Sequence, residues 1–148
     1  LEVVHGASIR LGKYDVAEAA ARRHDTLPPG QVTDPDLHKA ARQVEIARAQ
    51  VGQGKRAEAR ATLEPALALL RDRASTGTTM LGLRQSYAEA LYVAALALAD
   101  DPARLAEKRR LLDQASAALA GASAEARQLR TWRELSEEIA TARQASGG

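Results

Sequence analysis

The sequence contains no cysteine and no phenylalanine, and its aromatic side chains are Tyr14, Tyr87, Tyr92 and Trp132. Without cysteine there are no disulfides, thiolate zinc sites, iron–sulfur clusters or thiol nucleophiles. So few rings leave few platforms for base stacking. No apolar run approaches the ~18 residues that span a bilayer as a helix, and no signal peptide is legible. A dominant charge is also missing: 21 Lys and Arg stand against 19 Asp and Glu, a net +2. Leu, Ile and Val number only 29 among 148 residues. Chains so poor in large aliphatics tend to disorder when they also carry high net charge, and this one does not.

Alanine fills the gap and is the commonest residue of the chain. It is the best helix former and a poor strand former. The composition therefore excludes an all-β domain and argues against a nucleotide-binding α/β fold. The length suits one domain. The chain starts at Leu1, not Met, and already reads as structured there. A fragment of a longer protein is expected, cytoplasmic by default and periplasmic if a membrane segment lies upstream.

Seven helices are predicted. The first covers about 1–11 and is closed by Gly12; the second covers about 14–24 and ends before Leu27-Pro28-Pro29-Gly30. Asp34-Pro35 opens the third, since Asp accepts from free backbone N–H groups and Pro suits the first helical position. Its stripe is Leu37, Ala41, Val44, Ala47 and Val51, and Gly52-Gln53-Gly54 ends it. The fourth, from near Arg56, carries Ala59, Leu63, Ala66, Leu67 and Leu70, with Pro65 inside, and breaks at Ser75-Thr76-Gly77-Thr78. The fifth, about 79–99, lines up Tyr87, Leu91, Ala94 or Ala95, and Leu98. Asp101-Pro102 opens the sixth, with Leu105, Leu112, Ala115 and Leu119, and Gly121 ends it. Ser123 caps a seventh, with Leu129, Trp132, Leu135, Ile139 and Ala142 inward. Breaks are short after helices one, three and five and longer after two and four, which implies antiparallel hairpins.

Gly12-Lys13-Tyr14-Asp15-Val16-Ala17 recurs further along the chain as Gly54-Lys55-Arg56-Ala57-Glu58-Ala59. Glycine lets the chain reverse without a Cβ penalty. The alanine that closes each segment fits where two helices cross closely. Gly54 through Leu67 resembles the second half of the tetratricopeptide repeat: a Gly-x-x-x-Glu-Ala turn, a large apolar residue, then an Ala-Leu pair. Gly12, Tyr14 and Ala17 match similarly. The Trp, Leu-Gly and Tyr common in that family's first helix are absent, and the spacing exceeds the family's usual repeat of about 34 residues. The resemblance implies an all-α fold of antiparallel hairpins stacked as a short right-handed tetratricopeptide-like solenoid. Its units are about 1–30, 34–75 and 79–121 of a single domain, 1–148, and a C-terminal cap helix covers about 123–144. Ser86-Tyr87-Ala88-Glu89-Ala90-Leu91-Tyr92 and Glu125-Ala126-Arg127-Gln128-Leu129 resemble the helical region behind the catalytic domain of bacterial serine/threonine kinases with such tails. Arg-rich, Lys-poor usage (17 against 4) fits a GC-rich bacterial gene. No kinase catalytic motif is present.

No constellation points to chemistry. His5, His24 and His38 form no i, i+4 pair. Asp34, Asp36 and His38, with Asp25 nearby, read as an acidic helix start that complements the dipole. Glu137-Glu138 and Asp100-Asp101 are adjacent, so neither pair faces a common site. Ser75, Ser86, Ser116 and Ser123 lack a nucleophile elbow, and the glycines at 52, 54 and 77 form no phosphate-cradling loop. Arg42 with Glu45, Arg60 with Glu64 and Arg130 with Glu134 read as solvated helix pairs. Lys108-Arg109-Arg110 is too short a run for a nucleic-acid surface. Not an enzyme, no metal, no cofactor, no nucleic acid and no membrane segment are the expectations. In a repeat solenoid the first helix of each hairpin lines the concave face. Arg48, Arg84, Gln85 and Tyr92 lie off the apolar stripes, with Tyr92 expected to be exposed, and are the candidate groove for a protein or peptide partner. The expected role is a non-catalytic interaction domain of a larger bacterial signalling protein. The alternative is self-association through an apolar face at Leu1, Val3, Val4 and Leu11.

Overall fold

A computed structural model of the protein describes residues 2–25, 34–76, 81–98 and 101–147. The fold is all-α, with no strand among the described residues. The helices are α1 (Glu2–Arg10), α2 (Tyr14–Asp25), α3 (Pro35–Gly52), α4 (Arg56–Ser75), α5 (Leu81–Leu96), α6 (Leu105–Leu119), α7 (Ala124–Gln128) and α8 (Arg130–Ala145). A 3-10 turn, Pro102–Arg104, leads into α6. The chain divides into two compact units, Leu1–Leu70 and Arg71–Gly148. The Leu27-Pro28-Pro29-Gly30 break and Gly77 lie outside the described residues.

In the first unit one turn is built twice. Gly12 has φ 71° and Gly54 φ 78°, the left-handed region that glycine enters without strain. Gly12 N–H donates to Ile9 O at 3.1 Å and Lys13 N–H to Ser8 O at 2.8 Å. Gly54 N–H donates to Val51 O and Lys55 N–H to Gln50 O, both at 2.9 Å. Each is a Schellman closure that satisfies carbonyls left open at a helix end. The same lysines start the next helix, because Lys13 O accepts from Ala17 N–H and Lys55 O from Ala59 N–H. Ala17 and Ala59 are fully buried, as expected for residues where helices cross closely.

α1 packs on α2, and α2 on α3. His5, buried in α1, places Nδ1 3.0 Å from Ala17 O. The ring of Tyr14, at the start of α2, covers Gly52 at the end of α3 so closely that a Cβ there would overlap it. Beside it Gln53 Nε2 donates to Glu18 Oε2 at 2.7 Å and to Ala49 O at 3.2 Å. Burial pushes the Glu18 carboxyl up, but hydrogen bonds from Gln53 and Arg22 and the charges of Arg22 and Lys55 outweigh it. The net result is a pKa below the usual carboxylate range.

α3 is covered around most of its circumference, beyond the expected stripe. Val44 and Ala47 are buried as predicted, but Ala40, Ile46, Ala49, Arg42, Glu45 and Gln50 are buried too. Arg42 and Glu45, expected to be a solvated pair, form an ion pair at 3.2 Å with side chains only 8% and 11% exposed. Spacing alone identifies the pair, whereas coverage by surrounding chain decides its burial. Asp34 caps α3 as predicted, accepting from Leu37 N–H at 3.2 Å with Pro35 in the first turn.

In the second unit α6 packs against α5 and α8, and α8 also meets α5 and α7. Asp101 caps the 3-10 turn through Ala103 N–H. Leu105, placed in the stripe by spacing, is 37% exposed, while Leu111 joins Leu112, Ala115 and Leu119 inside. The single seventh helix of the sequence reading is two. Ser123 caps α7 through Ala126 N–H, and the backbone turns extended at Leu129 (ψ 132°) before α8 begins. Leu129 is consequently 49% exposed, not inward, while Trp132, Leu135 and Ile139 are buried. Arg143 Nε donates to Asp113 Oδ1 at 3.0 Å, tying α8 to α6. Arg109 Nε holds Ser146 O at 2.5 Å just beyond α8.

Gly52→Ala is expected to destabilise by about 1–3 kcal/mol by overpacking against Tyr14. Urea titrations of Gly52→Ala, Tyr14→Ala and the double variant check this: the added loss from Gly52→Ala should largely vanish once Tyr14 is alanine. Glu18 makes a second prediction. Its folded pKa is depressed, so its contribution is present above the unfolded value of about 4.3 and is lost as pH falls through the folded value. Glu18→Gln should be less stable than the parent at neutral pH, and the gap should close in thermal melts taken below about pH 4.

Candidate functional site

The four expected groove residues fall in two units, one residue in the first and three in the second. Arg48 is half-buried on α3 in the first unit. Arg84 and Gln85 are half-buried neighbours on α5 in the second. Tyr92 is 9% exposed, which corrects its expected exposure. α5 buries Ala88, Ala90, Leu91, Tyr92, Val93 and Ala95, so it is apolar nearly all round and distance from Leu91 does not define an outer face. Tyr87, expected on the buried stripe, is only half-buried at its edge. Arg84 is committed locally: Nη1 donates to Ala120 O at 3.3 Å, covering a carbonyl just past the end of α6.

A concavity of the second unit lies a few residues away. A cleft of about 470 Å³ runs between the end of α6, α7 and the first half of α8. That volume lies in the range of roughly 300–1,000 Å³ typical of binding pockets. Its floor is Leu119, Ala120, Ile139 and the Trp132 ring, and Ser116 and Ser136 add hydroxyls. Arg127, Arg133 and Glu137 give the cleft its charge. Arg127 is anchored by Nε, which donates to Ala122 O at 3.1 Å, leaving the outer fork of its guanidinium to other acceptors. Neither Arg127 nor Arg133 pairs with a carboxylate among the described residues. α8 starts here without a side-chain cap, so its positive dipole end adds to the two arginines.

An apolar floor with a few polar and charged groups around it is an arrangement suited to binding. Among the described residues no group of three or more His, Asp and Glu side chains is placed to hold a metal ion. Asp34, part of the acidic start considered as a site, is a helix cap; the side chains of His24 and Asp25 lie outside the described residues. Among the described residues no helix is long and apolar enough to cross a membrane. Arg127 and Arg133 fall within the single cap helix expected over about 123–144, and neither is among the candidate groove residues of the sequence. The break at Leu129 gathers them over Trp132, and neither glycine nor proline announces it. The one available signal was the inward Trp132 flanked by arginine.

No protein-family model matches the chain, and neither a curated protein nor a solved structure matches it.

Trp132→Ala should cost about 3–5 kcal/mol of stability, as for any large buried side chain removed from a core. Arg133→Ala should change it by less than about 0.5 kcal/mol, because that side chain is exposed and unpaired with acid. Chemical denaturation of both variants checks the contrast: a cleft arginine that the fold does not need is free for a ligand.

Proposed function

We propose that this chain is a non-catalytic protein-interaction domain of the tetratricopeptide-like kind, part of a larger bacterial signalling protein, that docks a peptide segment of a partner. The observation that carries the repeat reading is the turn at Gly12 and Gly54, with the same pair of hydrogen bonds and the same buried alanine at its far end. Such units bury an apolar face against the next and leave polar surface for partners. The docking part of the reading is supported by the cleft beside Trp132, whose apolar floor and few polar groups are the usual make-up of a recognition site. Arg84 borders it through Ala120, and Gln85 adjoins Arg84 on α5. Arg48 is a candidate for a separate contact on the first unit.

Selection of a displayed random-peptide library on the immobilised chain tests this. Enriched peptides should share a motif, bind the chain in solution, and lose binding to Ser136→Trp, which fills the cleft. Selection without a motif, or peptides indifferent to Ser136→Trp, would sink it.

A second reading, self-association, is favoured by Leu11 and Val16, which are 71% and 40% exposed at the α1–α2 turn. The side chains of Leu1, Val3 and Val4, expected on the same face, lie outside the described residues. The reading predicts a molar mass that rises with concentration in light scattering and returns to the monomer value in Leu11→Glu. A monomeric parent chain at all concentrations would count against it.

A further inference from the structure

We infer that the occupant of the α6–α8 cleft is an acidic peptide segment, whose carboxylates are taken by Arg127 and Arg133 while an apolar side chain rests on the Leu119–Trp132 floor. This deepens, and rests on, the docking reading above. Charge complementarity carries it. Two guanidinium groups and one carboxylate, Glu137, line the cleft, and no carboxylate among the described residues neutralises either arginine. Arg127 is held in place by its Nε bond to Ala122 O. Its planar fork is therefore preorganised for a carboxylate, which it can meet with two parallel hydrogen bonds.

The partial negative charge at the end of α6 would oppose an acidic ligand, but Arg84 Nη1 already sits on Ala120 O at that end. The hydroxyls of Ser116 and Ser136 are further donors along the walls. Glu137 is the one opposing element: its carboxylate repels an acidic ligand and reduces, without cancelling, the preference set by the two arginines. A basic or neutral segment would leave both arginines without acid and would gain only the apolar floor. The cleft volume suits a short segment, not a folded surface.

The test uses the full chain and short fluorescent peptides that share one apolar anchor and differ only in carrying Glu, Gln or Lys around it. Anisotropy titrations should give the Glu peptide about tenfold higher affinity than the Gln peptide, the sum expected of two exposed ion pairs. Added salt should erase most of that preference. Arg133→Gln, which leaves the fold intact, should remove about half of the preference on a logarithmic scale, and Arg127→Lys part of the rest. Glu137→Gln should tighten the Glu peptide a few-fold. Equal affinity for Glu and Gln peptides, or a preference left undiminished by Arg133→Gln together with Arg127→Lys, overturns the inference. If all three peptides bind alike and Ser136→Trp abolishes them all, the docking reading stands and the acidic preference falls. If no peptide responds to Ser136→Trp, both fall.

Discussion

Half of the buried apolar side chains among the described residues are alanines. A core of single methyl groups holds together only where helix backbones approach closely, because dispersion and burial both need near contact. That constraint runs through each unit. Ala17, Ala20 and Ala21 let α2 lie close to its neighbours, and Ala88, Ala90 and Ala95 do the same for α5. Larger side chains make up the other half, with Leu63, Leu70, Leu91 and Leu112 fully enclosed, and in each unit one ring holds a pivotal place. Tyr14 over Gly52 is that place in the first unit: a ring occupies the volume that a side chain on α3 would otherwise need. Trp132 plays the corresponding part in the second, where it is both core and cleft wall.

Much of this fold was legible in the sequence. The Asp34-Pro35 start, the Gly12 and Gly54 closures and the Ser123 cap all appear where the residues place them, because each depends on a local hydrogen bond or a φ angle. The departures share one cause: spacing identifies a stripe but not what covers the rest of the helix. α3 and α5 are buried on more than one side, so Arg42, Glu45 and Tyr92 lie inside against expectation. Before α8 an extended residue, Leu129, breaks the expected helix and has no local chemical signature. The cleft was the least legible feature, since it follows from that break.

The electrostatic organisation follows the same division between local and non-local. Arg130–Glu134 and Arg104–Glu107 are exposed pairs along one helix, legible from spacing and worth little. Arg143 with Asp113 and Arg109 with Ser146 O join residues about thirty or more positions apart, and they fasten α8 to α6. Arginine serves this better than lysine, because a fixed fork loses less freedom for each bond it makes. The surplus of Arg over Lys in the chain is therefore consistent with its architecture as well as with gene composition.

The shared lysine at each glycine turn has a consequence for how such a chain lengthens over generations. Lys13 and Lys55 each finish one helix with the N–H and start the next with the carbonyl, so the turn holds no spare residue. An insertion inside it would separate two bonds that now meet on one residue. Copying a whole block from one glycine to the next restores both bonds and returns the alanine crossing to the same depth. A change of chain length inside this turn would thus open the end of one helix and the start of the next together.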